Sequence, residues 1–120
     1  MSHRFRRVFF IVIPLLLLLL ISPVAYLELQ GNFHAITPGE AYRSAQLDRD
    51  KLEYYIKKYT IKSVLNLRGE NTNADWYREE IKTCMDNSVA LYSVRLSAKK
   101  EPSEKAIEEI IRIFNSAPRP

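Results

Sequence analysis

The residues best suited to chemistry in this 120-residue sequence are one thiol and a few cations. Cys84 is the only cysteine. A reactive thiolate needs a helix N-terminus, a neighbouring cation or a metal to lower its pKa. Lys82-Thr83-Cys84-Met85-Asp86 contains no glycine-rich turn, and Cys84 falls on the apolar face of a predicted helix, where a thiol packs as a small hydrophobe. A single thiol makes no internal disulfide, and His3 and His34 stand at no metal-ligand spacing, which argues against zinc chemistry. Arg43 and Arg68 end or follow predicted strands, where ligand sites gather in α/β folds. Each reads either as an anion clamp or as a structural arginine bonded to strand-end carbonyls and a carboxylate such as Glu70. Lys99 and Lys100 form a basic pair that reads either as an attractor for an anionic substrate or as a solvated cluster.

The elements that must position these residues follow from periodicity. Asp48 caps a predicted helix running to Tyr59, with Leu52, Tyr55, Ile56 and Tyr59 on one face. Ile61 to Leu67 alternates apolar and polar residues around a β-branched centre and reads as a strand, ended by the polar loop Arg68-Gly69-Glu70-Asn71. A second helix is predicted over Ala74 to Asn87, with Trp76, Tyr77, Ile81, Cys84 and Met85 inward. Val89 to Val94 is the next strand, and Ser97 to Pro102 is a basic loop. Ser103 caps a third helix whose buried stripe is Ile107, Ile110, Ile111 and Phe114. A turn at Thr37-Pro38-Gly39-Glu40 precedes a short strand at Ala41 to Ser44. Strands and helices alternate, which predicts a parallel α/β sheet covered by helices. Tyr42 and Trp76 read as core aromatics.

The first 27 residues are different in kind. Val8 to Leu27 is a run of twenty residues without a charge, preceded by Arg4, Arg6 and Arg7. Twenty helical residues at about 1.5 Å each cover roughly the 30 Å hydrocarbon core of a bilayer. The run reads as a signal anchor or as a cleaved signal peptide, although Pro23-Val24-Ala25 is a poor cleavage site. Arginines on its N-terminal side hold that end in the cytoplasm, so the remainder is expected on the extracytoplasmic side, secreted or periplasmic if the segment is cleaved. Three of the four net positive charges lie in this tail. The rest of the chain is nearly neutral, which argues against a nucleic-acid partner. The expected layout is a membrane segment at 1–27, a linker and turn at 28–40, and one α/β domain at 41–120.

Read in this order, Asn32-Phe33-His34 followed by Pro38-Gly39-Glu40-Ala41-Tyr42-Arg43-Ser44-Ala45-Gln46 resembles the opening of the atypical dual-specificity and tyrosine phosphatases. Ile61 to Glu70 is similar to the second block of that family, and Arg95 to Ser103 to the loop before its last pre-catalytic helix. The resemblance implies a cysteine phosphatase that hydrolyses phosphate monoesters without a cofactor. Its nucleophile lies in a His-Cys-x5-Arg loop, where a helix N-terminus and backbone N–H groups stabilise the thiolate and cradle the phosphate. Arginine then holds two phosphate oxygens. Position 90 is Ala90, so Cys84 does not carry this motif. In relatives the loop follows a strand that begins just after a segment like Ala117-Pro118-Arg119-Pro120.

The expectation is therefore a truncated phosphatase-like parallel sheet behind one transmembrane helix, catalytically inactive as these 120 residues. Open strand edges and an uncovered apolar surface on the third helix should accompany it. The resemblance also implies a general acid in the Ser97–Pro102 loop. Glu101 is the only carboxylate there, and it reads either as that acid or as a solvated neighbour of Lys99 and Lys100. The membrane is the expected partner, with a phosphorylated substrate only if the catalytic loop is supplied. The alternatives are a membrane-anchored binding or scaffold protein without catalysis, and a small membrane protein of unrelated fold.

Overall fold

The structure is a computed structural model that describes residues 3–120. Among these residues the chain forms four helices and two small two-stranded sheets. Helix α1 spans His3–Leu29, β1 His34–Thr37, β2 Ala41–Arg43, α2 Arg49–Tyr59, β3 Ser63–Asn66, α3 Asp75–Asp86, β4 Ala90–Ser93 and α4 Glu104–Ser116.

Helix α1 contains Arg6–Leu29, a 24-residue stretch of mean hydropathy 2.9, none of it buried against the rest of the protein. At about 1.5 Å per residue it is long enough to span a bilayer. Pro14 and Pro23 lie inside the helix without ending it. What ends it is a glycine cap. Gly31 adopts φ +67°, its N–H donates to the Glu28 carbonyl at 3.0 Å, and Asn32 N–H reaches back to Leu27 at 2.8 Å. This pair of bonds is the Schellman arrangement, which uses up carbonyls that a helix end otherwise leaves free. A side chain at Gly31 would also collide with Leu47.

The cap is fastened to the domain. Tyr55 Oη donates to the Gln30 carbonyl at 2.8 Å, and Ala45 N–H donates to Gly31 at 2.9 Å. Burial pushes the Tyr55 phenol above its ordinary pKa, in keeping with a hydroxyl held as a donor. The stretch expected as a linker thus holds the end of α1 and the strand β1.

Strands β3 and β4 are parallel, in the register Ser63–Ala90 to Asn66–Ser93. Parallel strands need a crossover rather than a tight turn, and α3 supplies it. Asp48 caps α2 by accepting from Lys51 N–H at 2.9 Å, and Ser103 caps α4 by accepting from Ala106 N–H at 3.2 Å. The core is a cluster of Leu52, Ile56, Cys84 and Val89, with Leu47, Ile61, Val64 and Leu91 packed around it. Two helices and one sheet meet there.

The structure corrects three sequence expectations. The strand at Ala41 does not join the parallel sheet; it pairs antiparallel with β1 across the Thr37–Glu40 turn. Closing four residues costs far less chain entropy than reaching a strand twenty residues away. The hairpin instead packs on α2 through Phe33, which stacks on Tyr55 at 3.8 Å between ring centres and lies near Tyr42 and Tyr59. Met85 faces solvent rather than the core, 73% exposed, because Thr83 and Cys84 fill that side of α3. The stripe on α4 is not buried: Ile107, Ile111 and Phe114 are exposed, which is the uncovered apolar surface expected of an incomplete sheet, and Ile113 is the residue that packs inward. Periodicity locates an apolar face but does not supply what covers it.

Candidate functional site

The loops at the C-terminal ends of β3 and β4 are closed on each other. Leu96 N–H donates to the Leu67 carbonyl at 2.9 Å, and Arg95 Nη2 donates to the Glu70 carbonyl at 2.7 Å. Gly69 makes this approach possible. It is buried, has φ +79°, and a Cβ there would meet Arg95 Cβ at 2.7 Å. Asn66 Oδ1 accepts from Arg68 N–H at 2.7 Å and so shapes the start of the turn. The edge built in this way carries Arg68, Arg95 and the Ser97–Ser103 loop with Lys99, Lys100 and Glu101.

Each expected site residue has a definite place. Arg68 is exposed, and its guanidinium lies over the Trp76 ring at 3.9 Å from the centroid. It is held by a cation–π contact, not by Glu70. Trp76 is half-buried beneath it. Lys99, Lys100 and Glu101 are all exposed, and Lys99 N–H donates to Ser97 Oγ at 3.2 Å. Arg43 is exposed at the end of β2, on the hairpin wall of a separate cleft. Among the described residues none of Arg43, Arg68, Lys99 and Lys100 is paired with a carboxylate. The structure therefore brings Arg68 and the lysine loop to one edge of the parallel sheet and sets Arg43 on the hairpin. Cations of this kind attract an anion.

That cleft has a volume of about 330 Å³. Phe33, Tyr42, Leu52 and Ile56 contribute to its lining, with Ile113 and Phe114 of α4, Ser63, Val64 and Leu65 of β3, and the 117–120 segment. Its lining is mainly apolar, and Arg43 and Arg119 stand at its rim. Arg119 reaches Glu40 at 3.4 Å, tying the end of the described chain to the hairpin.

Two buried polar residues were not singled out from the sequence. Glu80 is buried on α3 and accepts from Gln46 Nε2 at 2.7 Å. Asn66 is buried at the end of β3. Asn66 Nδ2 and Glu80 Oε1 have no partner among the described residues. The signal was available for Glu80, which lies three residues after Tyr77 and four before Cys84 on the face of α3 that turns inward.

Cys84 is the most deeply buried residue of the core, 1% exposed. Burial first, and the Glu80 carboxylate second, push its thiol up to about 11. A thiol in that environment stays protonated at neutral pH and cannot act as a nucleophile. Among the described residues no group of three His, Cys, Asp or Glu side chains converges as a metal site would require. No protein-family model, curated protein or solved structure matches the chain.

The raised thiol pKa has a consequence for stability. The folded state keeps its proton to a higher pH than the unfolded chain, so stability is full below about pH 8.5 and falls toward pH 11. Denaturant titrations should show that Cys84 contributes a loss of about 2–3 kcal/mol over that window, read as the difference from Cys84→Ala, which keeps the loss due to the raised Tyr55 phenol. Iodoacetamide should leave Cys84 unmodified at pH 7.5 until the chain unfolds.

Proposed function

We propose that the chain is a membrane-tethered protein of the cysteine-dependent tyrosine and dual-specificity phosphatase family, inactive as these 120 residues. The observation that carries the reading is the convergence of the resembling blocks. The Ile61–Glu70 and Arg95–Ser103 blocks meet where Gly69 packs on Arg95, and the Pro38–Gln46 block contributes the hairpin across the cleft. Two of the three blocks meet at the C-terminal ends of the parallel strands, as a common site requires, while the third stands apart on the hairpin.

In this reading Arg68, Lys99 and Lys100 draw a phosphorylated substrate toward the C-terminal edge of the parallel sheet. Arg43 adds positive charge at the cleft rim. Glu101 is the one carboxylate of its loop that could donate a proton to a leaving alkoxide. None of these residues can replace the thiolate, the backbone cradle and the arginine of His-Cys-x5-Arg, which the 120 residues do not contain. Helix α1 is a signal anchor, and its N-terminal arginines place the domain on the extracytoplasmic side.

A second reading is a membrane-anchored binding or scaffold protein without catalysis. The cleft favours it, because an open and largely apolar groove suits recognition and needs no nucleophile.

The full chain in detergent micelles should release no product from a generic aryl phosphate above the buffer rate. Turnover that Cys84→Ser abolishes would overturn the inactive reading. Orientation is checked separately. A membrane-impermeant maleimide applied to intact cells should label Ser97→Cys, since the wild-type thiol is buried, and should leave the wild type unlabelled. Labelling only after membrane permeabilisation would place the domain in the cytoplasm.

A further inference from the structure

A second recess, of about 470 Å³, lies where α1 enters the domain. Val24, Leu27 and Glu28 line it at the spacing of one helical face, and the rest of its lining comes from the segment after β2 and the start of α2. The recess changes character along α1. Val24 and Leu27 belong to the apolar stretch Arg6–Leu29, none of which is buried against the domain. Glu28 is the first charged residue after Arg7. If α1 spans a bilayer, Val24 and Leu27 lie at acyl-chain depth, and Glu28, about 6 Å beyond Val24, reaches the head groups. The end of α1 is held in this relation to the domain by the Tyr55 bond to Gln30 and the Ala45 bond to Gly31. What surrounds α1 therefore also enters the recess.

The polar groups left after the protein's own hydrogen bonds are of both kinds. Glu28 is exposed and in no ion pair among the described residues. Gln46 uses its amide nitrogen on Glu80, which leaves its carbonyl oxygen to accept. Lys51 Nζ gives one N–H to Asp48 at 2.9 Å and keeps two. Asn32 uses its carbonyl oxygen on His34, which leaves its amide N–H groups to donate. Anion-binding and cation-binding groups thus share one recess beside an apolar helix face.

We propose that the recess binds one phospholipid with a primary-ammonium head group, of the phosphatidylethanolamine class. The phosphate takes N–H groups of Lys51 and Asn32, the ammonium donates to Glu28 and to the Gln46 carbonyl, and an acyl chain follows Leu27 and Val24. The lining selects this head group. Glu28 and Asp48 outnumber Lys51 there, so a lipid of net negative charge meets an excess of its own sign. A trimethylammonium group has no N–H to donate and is best held by aromatic rings, and no aromatic side chain lines the recess. A free amine or phosphate from solution would leave Val24 and Leu27 uncovered. The proposal rests on the reading of α1 as a retained anchor and is independent of the phosphatase reading.

Native mass spectrometry of the full chain tests it, after release from nanodiscs of equal parts phosphatidylcholine, phosphatidylethanolamine and phosphatidylglycerol. The wild type should retain phosphatidylethanolamine about tenfold over either other lipid, and Glu28→Gln should abolish the preference. Glu28 is exposed, so the variant should match the wild type in thermal unfolding. Equal retention of the three lipids, preference for another of them, or a preference that survives Glu28→Gln would each overturn the site. The chain mass reports on the anchor separately. Chain recovered from host membranes without its first residues would overturn the anchor and the site with it, whereas an intact chain with no preference overturns the site alone.

Discussion

Two parallel strands cannot be joined by a tight turn, so the helix that connects them must also lie on their sheet and bury a face there. In this protein that helix is α3, and the residue that meets the sheet and α2 together is Cys84. Its thiol is small enough to let Leu52 and Ile56 of α2 close over it toward Val89. Full burial of aliphatic side chains such as these contributes roughly 1.5–3 kcal/mol apiece, the largest favourable contribution available to so small a core. The parallel register of β3 against β4 is built over this contact. So does the meeting of Gly69 with Arg95 at the far end of the strands, which gathers the basic residues on one edge. A side chain in that position serves the fold, and the elevated pKa of the thiol is the chemical sign of it.

The hairpin and the end of α1 depend on a second, aromatic contact. Phe33 lies between Tyr42 and the tyrosines of α2, and Tyr55 is at once part of that stack and the donor to the last turn of α1. The apolar helix α1 is thereby fixed to the domain by a glycine cap and a buried hydroxyl rather than by a free linker. The same arrangement sets the hairpin across from α4 instead of beside β3. The unpaired edge of β3 and the bare stripe of α4 are the two results of that spacing.

Much of the local structure was legible in the sequence because the determinants are local. Asp48 and Ser103 begin their helices as side-chain caps, and Leu52, Tyr55 and Ile56 turn inward at helical spacing. The apolar run before Glu28 could be read from length and charge alone. What was not legible depended on partners. Ala41–Arg43 had the composition of a strand but gave no sign that its partner was four residues back, nor that His34–Thr37 was a strand at all. Ile107, Ile111 and Phe114 have the spacing of a buried stripe; that they would be left uncovered followed from the family resemblance, not from any local signal. At the site, the positions of Arg43, Arg68, Lys99, Lys100 and Glu101 at strand ends and loops were readable. The stacking of Arg68 on Trp76 was not, nor was the use of Arg95 to bind the Glu70 carbonyl, because both need the two loops to be brought together. Glu80 was passed over because a lone carboxylate on an apolar face resembles a solvated one until Gln46 is seen against it.

The central claim is a paired strand with one open edge, and residue-resolved hydrogen exchange on the full chain in micelles tests it most directly. Val64 and Asn66 N–H groups face β4 and should exchange slowly. The Leu65 N–H, one residue from each, should exchange much faster, so that protection alternates along β3. Equal and strong protection of Val64, Leu65 and Asn66 would mean that a strand already lies on the second edge, and would contradict the account.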